Sequence, residues 1–280
     1  MNYSNHLKTA IAAAIEAGEG ILGVYRTDFT VDYKSDSSPL TLADQTSHKI
    51  ITQRLAGFGI PVLSEEGRHL PYVERKNWHQ LWIVDPLDGT KEFVKKNGEF
   101  TVNIALINQG APMLGVVLAP DREQLYFAMQ GLGTYKTDDA ELLRRADTGL
   151  SDGSLTLDEL LSRSTRLPGN RPPGSPYTIV GSRSHATAEL EEFVEAKRRE
   201  HGRIEFIPAG SSLKICLVAE GKADIYPRLG PTMEWDTAAG QAVAECAGAV
   251  VNEYESGTPL RYNRPDLLNP WFIVERKVSS

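Results

Sequence analysis

The stretch Trp82-Ile83-Val84-Asp85-Pro86-Leu87-Asp88-Gly89-Thr90 constrains this chain more than any other. An apolar, strand-like run ends abruptly in two aspartates. Carboxylates so close in sequence repel each other, and each is costly to desolvate unless something positive sits between them. Lys91 follows at once, but one lysine does not neutralise both acids.

The rest of the chain alternates between helical and strand patterns, which predicts an α/β fold. Leu7, Ile11, Ile15, Gly18, Leu22 and Tyr25 recur at helical spacing, and Ala43, Ser47, Ile50, Ile51 and Leu55 give a second helix after Pro39. Strands are expected in IPVLSEEG, in LWIVDPLDG, on both sides of the Gln109-Gly110 turn in TVNIALINQGAPMLGVVLAP, and in QLYFAM. Beyond residue 175 the pattern continues with YTIVGSRS, a charged helix from Ala186 to His201, the strand RIEFIPA and the helix SSLKICLVAEG. The strand ADIYPRL, the helix WDTAAGQAVAECAG and the strands AVVNEY and WFIVER complete it. Residues 136–175 are charged and rich in Ser, Gly and Pro, with one short helix over TLDELLSR. They are expected to be the least structured segment, a polar insertion or linker between an N-terminal lobe, 1–135, and a C-terminal lobe, 176–280, of a single unit.

Composition narrows the partners. A chain of 280 residues can bury a sizeable core, and its net charge of −7 argues against a nucleic-acid surface or a polybasic membrane patch. An anionic substrate would therefore need cations to mediate. Cys216 and Cys246 lie in apolar helical patterns and read as buried reduced thiols, which fits a cytoplasmic protein. Lys8, Glu16 and Glu19 interrupt the apolar N-terminal run, so no transmembrane segment or cleavable signal is expected. Peripheral attachment to the cytoplasmic face of the inner membrane is the alternative location.

The acids sort by position. Glu65 and Glu66 end one predicted strand, Asp85 and Asp88 end the next, and Asp236 sits in the first turn of a helix, all places where α/β folds build sites. Carboxylates without paired histidines suit Mg²⁺ or Mn²⁺ and not Zn²⁺. Pro86 stiffens the turn, Gly89 lets backbone approach a ligand, and Thr90 adds a hydroxyl. Each residue also has a plainer reading. Asp44 and Asp236 suit helix N-termini, Glu65-Glu66 a solvated loop, Ser211 and Ser212 helix caps, and Lys214 and Arg228 solvated charges. Their joint occurrence favours a site.

The blocks PLTLADQTSHKII, LSEEG, WIVDPLDGTKEFVKKNGEFTVNIALI and GSSLKICLVAEGKADIYPRLGPTMEWDTAAGQAV together resemble the lithium-sensitive, magnesium-dependent phosphatases of the inositol monophosphatase superfamily. Within it, TKEF and GSSLK favour the 3'(2'),5'-bisphosphate nucleotidase branch over the inositol phosphatases. The segment 136–175 is longer than usual for the type, leaving a changed substrate rim or subunit contact open. The resemblance implies a layered αβαβα sandwich acting as a monomer or homodimer on a small nucleotide. It also implies that Glu65, Asp85 and the Leu87 carbonyl hold one Mg²⁺, and that Asp85, Asp88 and Asp236 hold a second. A third, weaker ion would sit near Glu65, and Li⁺ and Ca²⁺ would inhibit. A water activated by the ions attacks phosphorus in line, with Asp44 and Thr90 taking and orienting its proton. Gly89 and Thr90 N–H groups cradle the phosphate, and Ser211, Ser212, Lys214 and Arg228 meet the leaving side. The implied reaction releases the 3'-phosphate of adenosine 3',5'-bisphosphate or its sulfated form. An inositol or fructose-bisphosphate phosphatase with the same metals, or a non-catalytic nucleotide or sugar-phosphate sensor, are the rival readings. A haloacid-dehalogenase phosphatase separates its aspartates by one residue, not two, and an EF-hand would need Glu where Lys95 stands.

Overall fold

The computed structural model describes residues 3–28, 31–33, 39–182 and 187–277. Helix α1, Ser4–Tyr25, is followed by a two-residue ladder of β1, Asp32–Tyr33, and β2, Pro39–Leu40, and by α2, Leu42–Leu55. Then come β3, Val62–Ser64, the short α3, Tyr72–Arg75, β4, Gln80–Asp88, and α4, Thr90–Val94. An antiparallel run follows: β5, Thr101–Asn108, β6, Ala111–Ala119, β7, Gln124–Met129, and β8, Gly133–Thr137. Next are α5, Ala140–Asp152, α6, Leu157–Ser162, and β9, Thr165–Leu167. The remainder is β10, Tyr177–Gly181, α7, Ala188–His201, β11, Ile204–Pro208, and α8, Leu213–Ala219. It ends with β12, Ile225–Arg228, α9, Glu234–Cys246, β13, Ala249–Glu253, and β14, Phe272–Arg276.

The strands form two main sheets. One has seven strands in the order β3-β4-β5-β6-β7-β8-β9, antiparallel except for the parallel β3–β4 pair. The other has five, in the order β11-β10-β12-β14-β13. On β4, Trp82 and Val84 join the core beneath α1 and α2, while Leu81 and Ile83 join the core that α8 and α9 share with the second sheet. Burial on both faces explains the unbroken apolar run. The layers are α1, α2 and α5, the seven-stranded sheet, α8 and α9, the five-stranded sheet, and α7. This is the αβαβα sandwich that the resemblance implies. At Gly115 of β6 an added Cβ would stand 2.4 Å from the Ala239 carbonyl oxygen, so α9 lies hard against this sheet.

The segment 136–175, expected to be the least structured with one short helix over TLDELLSR, holds that helix as α6 and in addition α5 and β9. Asp139 caps α5 by accepting from Leu142 N–H at 3.0 Å, and Gly153 at φ +84° ends it. Leu142, Leu143, Ala146 and Leu150 are buried in the core that α1 shares, and β9 extends the seven-stranded sheet beside β8. The helix expected from Ala186 is described from Ala188, with Thr187 as its cap; Ala186 itself lies outside the described residues. Both cysteines are free, Cys216 buried and Cys246 partly so. No helix among the described residues is long and apolar enough to cross a membrane.

Candidate active site

In a regular strand Asp85 and Asp88, an odd number of residues apart, would face opposite sides of the sheet. A β-bulge changes this. Asp85 pairs with Asn103 and Asp88 with Thr101, so β4 carries one residue more than β5 across the interval. The extra residue turns Asp88 to the side of Asp85. Gly89 then takes φ +87°, and a Cβ there would come 2.1 Å from Ser211 Oγ, so both conformation and space require glycine.

The first turn of α9 brings in the third acid. One oxygen each from Asp85, Asp88 and Asp236 lie within 4.8 Å of one another. Asp85 Oδ1 accepts from Leu87 N–H at 3.1 Å, whereas its Oδ2 is buried with no hydrogen-bond partner. Burial pushes the Asp85 carboxyl well above the usual range, reinforced by Glu65, Asp88 and Asp236. Burial followed by Asp88 raises Asp236 to about 7, with Glu65 adding to the effect. Glu65, at the end of β3, thus belongs to the same electrostatic cluster. An orphaned carboxylate oxygen among converging acids fits a hard divalent cation.

Asp44 combines the plain reading with the functional one. Its Oδ2 accepts from the backbone N–H of Thr41 at 2.8 Å and from the Thr41 hydroxyl at 2.7 Å, closing a capping box on α2. Its Oδ1 faces the Thr90 hydroxyl at 3.4 Å, and that hydroxyl is 3.3 Å from the Leu87 carbonyl. Ser47 on the same helix donates to the Pro86 carbonyl at 2.6 Å and so ties α2 to the turn. Asp236 likewise caps its own helix, accepting from Met233 N–H at 2.8 Å.

Ser211 and Ser212 hold the acids in place. Ser212 donates to Asp88 Oδ2 from its N–H at 2.6 Å and its hydroxyl at 2.9 Å, and Thr101 adds a third donor at 3.3 Å. Because the Ser212 hydroxyl gives its proton to Asp88, its oxygen accepts from the Asn103 amide, 2.8 Å away. Ser212 Oγ also lies 3.1 Å from the Asp236 carbonyl, which places it between the two acids. Ser211, at φ +47°, bonds the carbonyls of Asp88 and Glu99 at 3.0 and 2.7 Å. Asn103 and Thr101 went unread in the sequence, although a polar pair inside TVNIALI, opposite the acids, is a usable signal. Ser212→Ala would leave Asp88 with fewer donors and the Asn103 amide without its acceptor. Its Mn²⁺ affinity, measured by calorimetry, is expected to fall roughly tenfold or more; an unchanged affinity would refute this support.

Lys214 and Arg228 line a cavity of about 370 Å³ together with Asp88, Gly89, Ser212 and Asp236. Lys214 is buried with its Nζ 5.7 Å from the Tyr226 ring centre, and burial lowers it to about 8 against the pull of Asp88. Arg228 donates to the Pro231 carbonyl at 2.7 Å, and its Nε finds no hydrogen-bond partner.

A fold in which two sheets enclose a pair of helices, with a carboxylate cluster between strand end and helix start, defines the class of protein. Residues 2–277 match the inositol monophosphatase family, and the chain belongs to it. That family is metal-dependent, and the acidic cluster here could hold metal. The chain is similar to the 3'(2'),5'-bisphosphate nucleotidase CysQ of Escherichia coli O6:H1, 45% identical over 266 residues that cover 93% of this chain and 96% of that protein. It is 43% identical over 272 residues to the protein of the same name from Salmonella typhimurium, covering 96% and 98%. It also superposes on the crystal structure of CysQ from Bacteroides thetaiotaomicron with a TM-score of 0.89 and 48% identity, over 99% of each chain.

Proposed function

We propose that this chain is a cytoplasmic, Mg²⁺-dependent 3'(2'),5'-bisphosphate nucleotidase. It releases the 3'-phosphate of adenosine 3',5'-bisphosphate, and of its 5'-phosphosulfate, in the recycling that accompanies sulfur assimilation. The observation that carries the reading is the partnerless Asp85 Oδ2 inside a cluster of three acids, opening on a cavity that Lys214 and Arg228 also line. Similarity to the CysQ proteins supports the substrate.

Two to three Mg²⁺ ions, held by Glu65, Asp85, the Leu87 carbonyl, Asp88 and Asp236, would supply the Lewis acidity for phosphate-ester hydrolysis. Mn²⁺ would substitute, and Li⁺ and Ca²⁺ would inhibit. Thr90 accepts a hydrogen bond from the attacking water and passes its own to Asp44, which stores the proton. N–H groups of Gly89 and Thr90, at the start of α4, hold phosphate oxygens. Ser211 and Ser212 serve the substrate through Asp88, while Lys214 and Arg228 meet the charges of the leaving nucleotide.

Kinetics on adenosine 3',5'-bisphosphate, inositol monophosphate and fructose 1,6-bisphosphate test this. The first should be preferred, and Arg228→Ala should narrow the preference mainly through KM. Because Lys214 carries charge below about 8 and loses it above, KM should climb as pH passes that value. Lys214→Arg should flatten the climb. Preference for inositol monophosphate would move the chain to the inositol branch.

A further inference from the structure

A second cavity, of about 590 Å³, lies at the opposite end of the five-stranded sheet. Arg171, Tyr177, His201, Arg203, Asp224 and Arg276 are among its walls. The parallel strands β10 and β12 start beside it, at Tyr177 and just after Asp224, and run away from it. They end at Gly181 and Arg228, and Arg228 and Ser182 line the catalytic cavity. At about 3.3 Å per residue, roughly 13–17 Å of strand separates the two cavities.

Three arginines here meet one lining carboxylate. Asp224 takes Arg171 Nη1 at 2.5 Å on Oδ2 and Arg276 Nη2 at 2.9 Å on Oδ1. One aspartate neutralises one guanidinium, so this clasp keeps a positive charge. It is also rigid. Arg171 is pinned further by the Thr178 hydroxyl at 2.7 Å and the Pro176 carbonyl, and Asp224 accepts the Thr178 N–H at 2.7 Å. Arg203 is 84% exposed, and its contact with Glu205 at 3.6 Å is one that water screens. The nearby Glu200 is engaged by Lys197 at 2.9 Å.

Two donors at this cavity are unused. Arg276 Nε and the Tyr177 hydroxyl are shielded from solvent and have no hydrogen-bond partner. The Tyr177 ring lies flat on His201, centroids 3.7 Å apart and planes 6° from parallel, so neither ring is free to turn away. Fixed guanidinium groups with spare donors are the arrangement that recognises tetrahedral oxyanions. Glu275, Asp224 and Glu200 all act on Tyr177 and offset part of the arginine charge, so the attraction for an anion rests on the exposed Arg203 and the fixed Arg276 guanidinium.

We propose that this cavity is a second anion-binding site, which takes a phosphate or sulfate group at the guanidinium groups of Arg276 and Arg203, independently of the catalytic cluster. The group is either a free inorganic ion or the phosphate of a nucleotide. Excess chelator separates the two sites, because without cations the carboxylate cluster repels anions. The full-length protein is titrated in chelator with inorganic phosphate and, separately, with adenosine 5'-monophosphate, followed by calorimetry and melting temperature. Saturable binding of at least one probe is expected, with a rise in melting temperature. Comparable affinities indicate the free ion, and a tighter nucleotide indicates a ring seated beside the Tyr177–His201 stack. Arg276→Gln and Arg203→Gln should each weaken binding roughly tenfold, and Arg228→Ala should leave it intact. Arg203→Gln keeps the test sharp if the Asp224 clasp is needed for folding, since that side chain is largely in solvent. No binding of either probe, binding that survives both arginine substitutions, or binding lost in Arg228→Ala would overturn the proposal.

Discussion

Asp88→Asn and Asp236→Asn are expected to lose turnover by at least about 10²-fold while the metal-free protein melts higher than wild type. Losing an outer partner of a metal ligand already costs about 10–100-fold, so losing a ligand's charge should cost more. The stability gain follows from crowding. Burial and the neighbouring acids hold Asp85 and Asp236 above the ordinary carboxylate range, Asp236 at about 7. A folded-state value above the unfolded one means that the native protein binds the proton more tightly. The contribution of these carboxyls to metal-free stability is therefore greatest at low pH, and the Asp236 share falls as pH rises from 3.8 and is lost once pH passes about 7. That loss is on the order of a few kcal/mol at 1.36 kcal/mol per unit. In Asp236→Asn the amide oxygen keeps the Met233 cap without the charge. The gap in melting temperature should thus be wide at pH 8 and closed near pH 4, and Mg²⁺ should stabilise wild type far more than the variant. Near wild-type kcat with unchanged Mg²⁺ dependence would remove either residue from the ligand set.

Asp44→Asn and Thr90→Ala should reduce kcat by about 10²–10⁴-fold, the usual range for general-base catalysis, with metal affinity and KM little changed. Asparagine keeps an oxygen for Thr41 and presents its amide nitrogen to Thr90, so the α2 cap survives while the proton acceptor is lost. Single-turnover kinetics with Mn²⁺ titrations would separate the steps. A defect confined to KM would mean that these groups bind substrate and do not move its proton.

Much of this was legible in the chain. The apolar run into Asp85 and Asp88 requires an interior strand, and β4 is one, buried on both faces. The acids at the ends of β3 and β4 and at the start of α9 do converge, because strand ends and helix starts share an edge of the layers. The helix α5 was missed although its signals are present: Asp139 as cap, Leu142, Leu143, Ala146 and Leu150 on one face, and Gly153 beyond the end. Dense charge and Gly149 obscured them. The bulge that turns Asp88 was out of reach, since it depends on how β4 meets β5. So was the use of Ser212, whose N–H and hydroxyl both go to an aspartate distant in sequence. Hydrogen bonds of that range leave no local pattern.

The close seating of α9 against β6, at Gly115, has a consequence for the order of synthesis. Asp85 and Asp88 leave the ribosome long before Asp236, and α9 has no sheet-bounded slot until β13 and β14 close the second sheet behind it. A nascent chain therefore carries three mutually repelling acids, Glu65, Asp85 and Asp88, without the fourth, for much of its translation. The carboxylate cluster is completed only after Asp236 has been made.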